Sequence, residues 1–539
     1  MSNKRVVFLD GYLDEPSTLG VPPYLSPYSR YIYGLLLDLN FREEAIHYLT
    51  IDQLRQQPEA IDGLAPEWLV ILAGTTVPGN YLGGKPITLK EIKRLAATGG
   101  PSKALLGPVT ECGFRAEGIN FHASERALFD LYTLFSGSHP PYSSYREGVS
   151  RWALLGARLT RRHPNFPQLV CELETYRGCL RRSNCLFCSE RLKRNTYTRY
   201  PEEVVQEVAA LHSQGNRYFR LGSQTDLLLY GARREAEEYP IPNPDYLQRL
   251  YAGIREAAPD LKLLHMDNAG PRSLVHYPEA GQRILKIIVD YNTPGDTAAM
   301  GLESADPAVL NENNIGTSPE ETLKAVRMVN EIGGKRIDGV PVLLPGINLL
   351  HGLKGEGKKS WEHNYEFLLN LYQEGLMIRR INLRQVRSIG GYSPERVNKF
   401  QFRSYKERIN KEINGPMLRR VFPTGTLLRE VWVEEQRGKL TYGRPLGSYP
   451  LLIGIPGDWE RGTALDVRIV DHGFRSVTAL PASLTINNAS LEQLKYLPGI
   501  GHRRAQRLFL QRPFDSWQQV AEALDQECDL RPLQAFSLH

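Results

Sequence analysis

The sequence predicts an α/β protein built from several domains, and three observations predict it. Apolar runs bounded by Gly, Pro, Asn or Asp alternate with amphipathic helical spacers over residues 1–150, and the same alternation resumes over 165–395. Beyond residue 395 the pattern changes to short alternating strands, and residues 484–539 turn helical again. At 539 residues, with 41% hydrophobic and 23% charged side chains, the chain has the length for roughly three or four cores and the composition of a folded protein.

The first unit opens with the buried-strand run "RVVFLDGY", followed by the Pro-rich loop "DEPSTLGVPPYLSPYSRYIYGLLLDL". Two further strands follow, "EAIHYLTID" and "WLVILAGTT". Parallel sheets of this kind take ligands at the carboxyl ends of their strands. The stretch "SGSHPPYSSYREG" (136–148) reads as a linker between domains.

The second unit alternates "QLVCELETY", "RYFRLGS", "LKLLHMDN", "AAMGLES", "DGVPVLLPGI" and "RRINLRQV" with helical segments such as "PEEVVQEVAALHSQG" and "SPEETLKAVRMVNEIGG". About six strand-then-helix units make a partial or full (β/α) barrel, whose reactive residues belong at the carboxyl ends of the strands. Residues 396–434 form a basic helical connector, "NKFQFRSYKERINKEING". Short strands such as "LLREVWVEE", "YPLLIGIP" and "ALDVRIVDH" then predict a small β-barrel or sandwich, placed over 435–481.

The N-terminus lacks a charged flank, long apolar stretch and cleavage site, and no apolar run approaches the roughly twenty residues that span a bilayer. A cytoplasmic protein without membrane contact is expected. The formal net charge of +6 permits a polyanionic partner without requiring one. Six cysteines are too few for a disulfide scaffold.

Three of those cysteines lie within "CLRRSNCLFC" (179–188). Soft thiolates select iron-sulfur clusters or zinc. A structural zinc site needs four ligands, and no second Cys-x-x-Cys pair exists. Cys171 sits in a strand pattern and reads as a buried apolar cysteine, while Cys112 and Cys528 are isolated. Three thiolates leave one coordination position open. That is what S-adenosylmethionine-dependent radical chemistry requires, because the methionine amino and carboxylate groups chelate the bare iron.

The stretch "ETYRGCLRRSNCLFCSE" resembles the radical SAM superfamily, including the aromatic Phe187 before the last cysteine. Five residues separate Cys179 from Cys185, where three are usual, which changes the loop. The resemblance implies a 4Fe-4S cluster on Cys179, Cys185 and Cys188, S-adenosyl-L-methionine as cofactor, and an electron donor such as flavodoxin or ferredoxin. It also implies cofactor-binding roles at strand ends. Gly222, Ser223 and Gln224 stand where the family often has Gly-Gly-Glu, and Glu303 and Ser304 lie in "GLESADPAVLNENN". Asp267, Asn348 and Gln385 end other strands and are expected at the same mouth; loop capping is the competing reading for all of these polar residues.

Residues 1–150 resemble the cobalamin-binding-like domain that precedes many radical SAM barrels. The ligating motif Asp-x-His-x-x-Gly is absent, so any cobalamin would lack that histidine, and a degenerate domain with a substrate or packing role is expected at least as much. Cys112 is the unit's one cysteine, which argues against an auxiliary cluster. Residues 435–481 resemble a TRAM-type RNA-binding barrel, with a structural barrel closing the active site as the alternative. Residues 484–539 resemble a helix-hairpin-helix module. Its glycines Gly499 and Gly501 make a tight turn able to meet a phosphate, followed by His502, Arg503, Arg504 and Arg507. The segment "GLKGEGKK" (352–359) only approximates a phosphate loop, because Lys359 replaces the required Ser or Thr, and it reads as a flexible loop or lid.

This domain order resembles an uncharacterised family of radical SAM enzymes with a C-terminal helix-hairpin-helix motif. The leading expectation is a radical enzyme that modifies a nucleic acid, tRNA favoured over DNA. A radical enzyme acting on a small molecule or protein, with the hairpin for assembly, is the second. A non-catalytic nucleic-acid-binding protein with structural zinc is the third.

Overall fold

The computed structural model describes residues 4–13, 19–74, 83–124, 127–181, 184–192, 196–233, 239–388, 390–525 and 528–539. Residues 14–18 of the Pro-rich loop and the last two of "WLVILAGTT" therefore lie outside the described residues.

The N-terminal unit contains β1 (Val6–Asp10), the short β2 (Tyr24–Leu25), β3 (Ile46–Thr50), β4 (Trp68–Leu72), β5 (Ser102–Leu106) and β6 (Phe121–Ala123). Five of these form a parallel sheet in the order β3-β1-β4-β5-β6. The run "VVFLD" is apolar throughout because both faces are covered. Val6 and Phe8 join one core cluster with Tyr28, Ile32 and Trp152, while Val7 and Leu9 join another with Ile51 and Ile92.

Two helices on the first face, Pro27–Asp38 and Tyr145–Gly156, cross at very short range. A Cβ on Gly34 would stand 2.0 Å from the Trp152 carbonyl oxygen, and one on Gly156 would stand 1.9 Å from that of Arg30. Only glycine fits at either point. The second of these helices begins inside the expected linker 136–148, which is therefore a helix start at its carboxyl end.

The barrel strands are β7 (Val170–Glu174), β10 (Tyr218–Gly222), β11 (Leu263–Met266), β12 (Asp296–Glu303), β15 (Leu343–His351) and β16 (Arg380–Gln385). Two small hairpins decorate them, β8 (Tyr176–Arg177) with β9 (Tyr197–Thr198), and β13 (Arg336–Ile337) with β14 (Val340–Pro341). Parallel pairing runs β11-β10-β7-β2 and β12-β15-β16, with a single parallel bridge from Asn268 to Ala299 between the two groups. This is the expected partial barrel, extended at one edge by β2. The Pro-rich loop was expected to be only a connection; Tyr24 pairs with Val170 and carries the N-terminal unit onto the barrel.

That junction is sealed by buried charge. Arg30, from the helix Pro27–Asp38, pairs with Glu207 of the helix Pro201–Ser213, and Arg199 pairs with the same carboxylate; all three side chains are fully enclosed. Arg30 also donates to the Glu172 carbonyl on β7.

The connector forms the helices Lys399–Ile409 and Gly415–Val421 joined through a wide turn at Asn410–Asn414. The small barrel then starts earlier than 435. Its strands are β17 (Leu427–Arg437), β18 (Leu440–Pro445), β19 (Leu452–Pro456), β20 (Ala464–His472) and β21 (Ser476–Pro481), closed in the order β17-β18-β19-β21-β20. The segment "LLREVWVEE" was expected as a strand of this barrel, but the bound at 435 cut through it; its pairing with β20 puts all of β17 in the barrel wall.

The loop between β18 and β19 enters the amino-terminal end of the large barrel. Ser448 donates from its backbone N–H to His265 Nδ1 (2.9 Å) and from its hydroxyl to the Met266 carbonyl (2.9 Å). Tyr24 donates to the Gly447 carbonyl at 2.6 Å. The small barrel thus plugs the large one. Residues 484–539 pack around Ile486, Leu494, Leu497, Leu508 and Val520 as a separate core against β20 and β21. Among the described residues no helix is long and apolar enough to cross a membrane.

Candidate functional site

The cysteine loop leaves the carboxyl end of β7 through a rigid anchor. Arg177 is fully buried, 3.4 Å from Glu174, with its guanidinium 5.0 to 5.4 Å from the rings of Tyr28, Tyr145 and Tyr197. Three aromatic faces and one carboxylate offset the charge of this buried cation. Gly178 then turns the chain at a φ of +99°, where a Cβ would meet Thr196 at 2.7 Å.

The far end of the loop is pinned as well. The Leu186 N–H donates to the Asn313 carbonyl (3.0 Å), and Asn314 donates to the Asn184 carbonyl (2.9 Å). Phe187 packs edge-on against Tyr392, with ring centres 6.4 Å apart. Asn313 and Asn314 come from the "GLESADPAVLNENN" segment, so that segment holds the cysteine loop as well as bordering it.

Cys179, Cys185 and Cys188 are all reduced and partly exposed on this rim. The Cys188 N–H closes a turn onto the Cys185 carbonyl at 3.1 Å, and the Glu190 N–H points at the Cys188 sulfur at 3.5 Å. Burial pushes the Cys185 thiol up to about 11, opposed by Arg181 and assisted by Glu303. Arg181 stands beside both Cys179 and Cys185. Among the described residues no three His, Cys, Asp or Glu side chains gather closely enough to hold a metal ion, so the three cysteines share one loop without converging on a common point. The donor set itself fits a cluster: three soft thiols on one rim loop, a buried cation beside them and an N–H directed at a sulfur.

The remaining sequence candidates divide. Glu303 has a φ of +66° and folds its carboxylate back over Gly301, facing Arg181 and Arg384; burial raises it to about 7 against those two cations. It therefore lies at the cysteine loop. Gly222 ends β10, and a Cβ there would collide with the Glu172 carboxylate at 2.2 Å. Ser223, at a φ of +64°, donates to that carboxylate at 3.2 Å, and Gln224 is held by the Leu221 carbonyl at 2.9 Å. Asp267 lies in the lumen and pairs with Arg220. Asn348 accepts from Asn382 at 2.7 Å, and Asn382 in turn accepts from Arg380 at 2.6 Å.

Two candidates are placed differently from expectation. Ser304 is buried, and its hydroxyl accepts the Asp306 N–H at 3.1 Å, which is a capping contact. Gln385 is exposed, on the face shared with Ile381 and Leu383, which pack into the helix layer. Strand alternation sends Arg380, Asn382 and Arg384 inward instead.

The structure also reveals residues that sequence reasoning passed over. Glu172, Arg220 and Arg380 join the expected Asp267 in a charged lumen, with Arg220 3.0 Å from Glu172 and Arg380 4.4 Å above the ring of Tyr449. Tyr449, at a φ of +54°, comes from the plug loop and reaches Asp267 at 3.4 Å. The signal was present: the charges of "VCELE", "YFRLG" and "RINLR" stand in runs otherwise built for burial, apart from Asn382.

At the opposite end of the molecule, Gly499 takes a φ of +74° and Gly501 caps the helix His502–Gln511. His502 and Arg503 are exposed there, whereas Arg504 and Arg507 both pair with Asp525, and Arg504 also closes the turn onto the Gly499 carbonyl at 2.8 Å.

Comparison with known proteins adds the following. The Radical SAM superfamily matches residues 173–368. An uncharacterised protein of Archaeoglobus fulgidus is 40% identical over 95% of this chain and 96% of its own length. Another, from Methanocaldococcus jannaschii, is 39% identical over 88% of this chain and 92% of its own. Among solved structures, the radical S-adenosylmethionine methyltransferase TsrM of Kitasatospora setae, with cobalamin and a [4Fe-4S] cluster bound, is 14% identical at a TM-score of 0.48, covering 72% of this chain and 76% of that one. The cobalamin-dependent S-adenosylmethionine radical enzyme OxsB is 14% identical at a TM-score of 0.45, covering 76% and 56%.

Proposed function

The chain belongs to the radical SAM superfamily, and on that premise we propose that it applies radical chemistry to a nucleic acid, tRNA favoured over DNA. Cys179, Cys185 and Cys188 would hold the 4Fe-4S cluster, with the polar groups around Gly222, Ser223 and Glu303 receiving S-adenosylmethionine. Together these cofactors supply reductive cleavage of the sulfonium to a 5'-deoxyadenosyl radical.

The chain's own residues order and shield that chemistry. Arg181 and Arg384 offset negative charge at the rim, and Phe187 packed on Tyr392 fixes the end of the loop that carries Cys188. Arg220, Glu172, Asp267 and Arg380 give a charged lumen below it, suited to orienting a polar substrate. An electron donor such as flavodoxin or ferredoxin would deliver the electron. The N-terminal sheet suits cobalamin as a further cofactor, bound without an Asp-x-His-x-x-Gly histidine.

The nucleic-acid reading is carried by the hairpin turn at Gly499–Gly501, whose helix-start amides, with the exposed His502 and Arg503, suit a backbone phosphate. Filter binding of unmodified tRNA across a salt series tests it. Wild type should lose affinity steeply with salt, and the double variant His502→Ala, Arg503→Ala should bind about tenfold more weakly with a shallower slope. Equal binding by both proteins would remove the hairpin from substrate recognition. One observation favours a small-molecule or protein substrate instead: Asp525 neutralises Arg504 and Arg507, so half of the expected basic cluster is occupied internally.

A further inference from the structure

The junction between the plug and the amino-terminal end of the large barrel forms a half-open cavity of about 580 Å³. That is within the size range of small-molecule sites, and domain junctions are where such sites gather. It lies away from the cysteine rim. Its barrel-side walls are residues that begin strands or precede them, including Leu263, Pro294, Val340 and Arg379, and its other wall comes from the small barrel, including Leu428 and Leu451.

The walls are mainly apolar, but their charges are unevenly matched. Near the small barrel every acid is occupied: Glu430 pairs with Lys262 and accepts from Tyr218, while Asp338 and Asp466 both pair with Arg429. Arg379 is different. Its guanidinium lies 5.0 Å from the Phe422 ring centre and donates once, to the Tyr449 carbonyl at 2.8 Å. Its Nε is buried with no hydrogen-bond acceptor, and among the described residues no carboxylate pairs with it. Burial, with Arg380 beside it, lowers the guanidinium to about 10.

Arg379 is half-buried with an unpartnered Nε and no carboxylate beside it, so an anion entering the cavity would supply the missing counter-charge. Here the ring of Phe422 fixes the guanidinium plane while leaving donors unused, which is the geometry that takes a planar or tetrahedral oxyanion. We propose that this cavity binds a small organic anion, a carboxylate or phosphate with an apolar body, with its headgroup on Arg379 and its body against Leu263, Val340, Leu428 and Leu451. Inorganic phosphate alone would leave the apolar walls unfilled. The site is independent of the substrate that the cysteine rim serves.

The test uses the full chain and 1-anilinonaphthalene-8-sulfonate, an apolar aromatic anion whose emission is excited by transfer from tryptophan. Trp432 lines the cavity. Wild type should bind one probe per chain with energy transfer that Trp432→Phe reduces. Arg379→Met should weaken binding about tenfold or more, whereas Arg379→Lys stays within about threefold. Octanoate and octyl phosphate, tried separately, identify the headgroup by which displaces the probe at lower concentration, and octanol at equal concentration should displace little. Leu446→Trp, which fills the cavity while keeping Arg379, should abolish binding and covers the case in which Arg379→Met fails to fold. Unchanged binding in Arg379→Met and Leu446→Trp, or displacement by octanol as effective as by either anion, would overturn the proposal.

Discussion

At the scale of single residues, the distribution of buried charge separates structure from chemistry. Burial pushes the Glu207 carboxyl upward, yet Arg30 and Arg199 together outweigh it and hold the group below the usual range. In the lumen the balance reverses: burial raises Glu172 to about 7 in spite of Arg220. The first is a weld between the N-terminal unit and the barrel, and the second leaves a carboxyl in the lumen that titrates near neutrality. Removing one member of the weld should therefore be expensive. Glu207→Gln is expected to cost about 3–5 kcal/mol, because it leaves the buried guanidiniums of Arg30 and Arg199 facing each other with no carboxylate between them; urea unfolding measures it, and a loss under about 1 kcal/mol would show that the cluster is not enclosed in solution.

Histidine gives the pH dependence. His163 lies at the junction with 3% exposure, its ring near Tyr48, and burial lowers it to about 3. Its folded value is below the unfolded one, so the unfolded chain binds the proton first and stability falls as pH drops below about 6.5. At pH 5 the contribution is about 2 kcal/mol. His163→Phe should lose that part of the difference between urea midpoints at pH 7 and pH 5; an unchanged difference would place the acid sensitivity elsewhere.

At the scale of elements, the strands of the large barrel were legible because each is a run of apolar residues between turn residues, and buried parallel strands have no other way to look. Which face each residue took was less legible. Gln385 was expected at the mouth from its position at a strand end, but the alternation counted from Ile381 and Leu383 puts it outside and Arg384 inside. Two-residue β2 was invisible for a different reason: Pro22, Pro23 and a loop-like composition hid a strand that exists only through its pairing with β7. The helix crossing at Gly34 and Gly156 was equally unreadable, since close approach depends on two segments more than a hundred residues apart. Gly34→Val should force those helices apart and destabilise the protein by about 1–3 kcal/mol or more, read as a lower melting temperature. A neutral result would mean that the helices do not approach as closely as the 2.0 Å Cβ distance requires.

At the scale of the molecule, the plug sets the arrangement. The small barrel was expected to act as an RNA-binding arm or to close the active site, and its loop is inserted into the lumen, where Tyr449 meets Asp267 and Arg380. No local pattern in "RPLGSYPL" announces this, because insertion is a property of two domains docked together. Gly447 is the tight point, with a φ of +154° and a Cβ position 3.0 Å from the His265 ring. Gly447→Ile should back the loop out, raising amide exchange across residues 446–451 about tenfold or more. Unchanged exchange would show that the loop is not held there.

The cysteine rim remains the centre of the account, and its most direct measurement is anaerobic reconstitution with iron and sulfide, followed by assay for 5'-deoxyadenosine with S-adenosylmethionine and a reductant. Wild type and Cys171→Ala, whose cysteine is buried in the barrel wall, should each hold about four irons and make 5'-deoxyadenosine, while Cys185→Ala should do neither. A fully loaded wild-type protein that makes no 5'-deoxyadenosine, or a Cys185→Ala variant that keeps both cluster and activity, would contradict it.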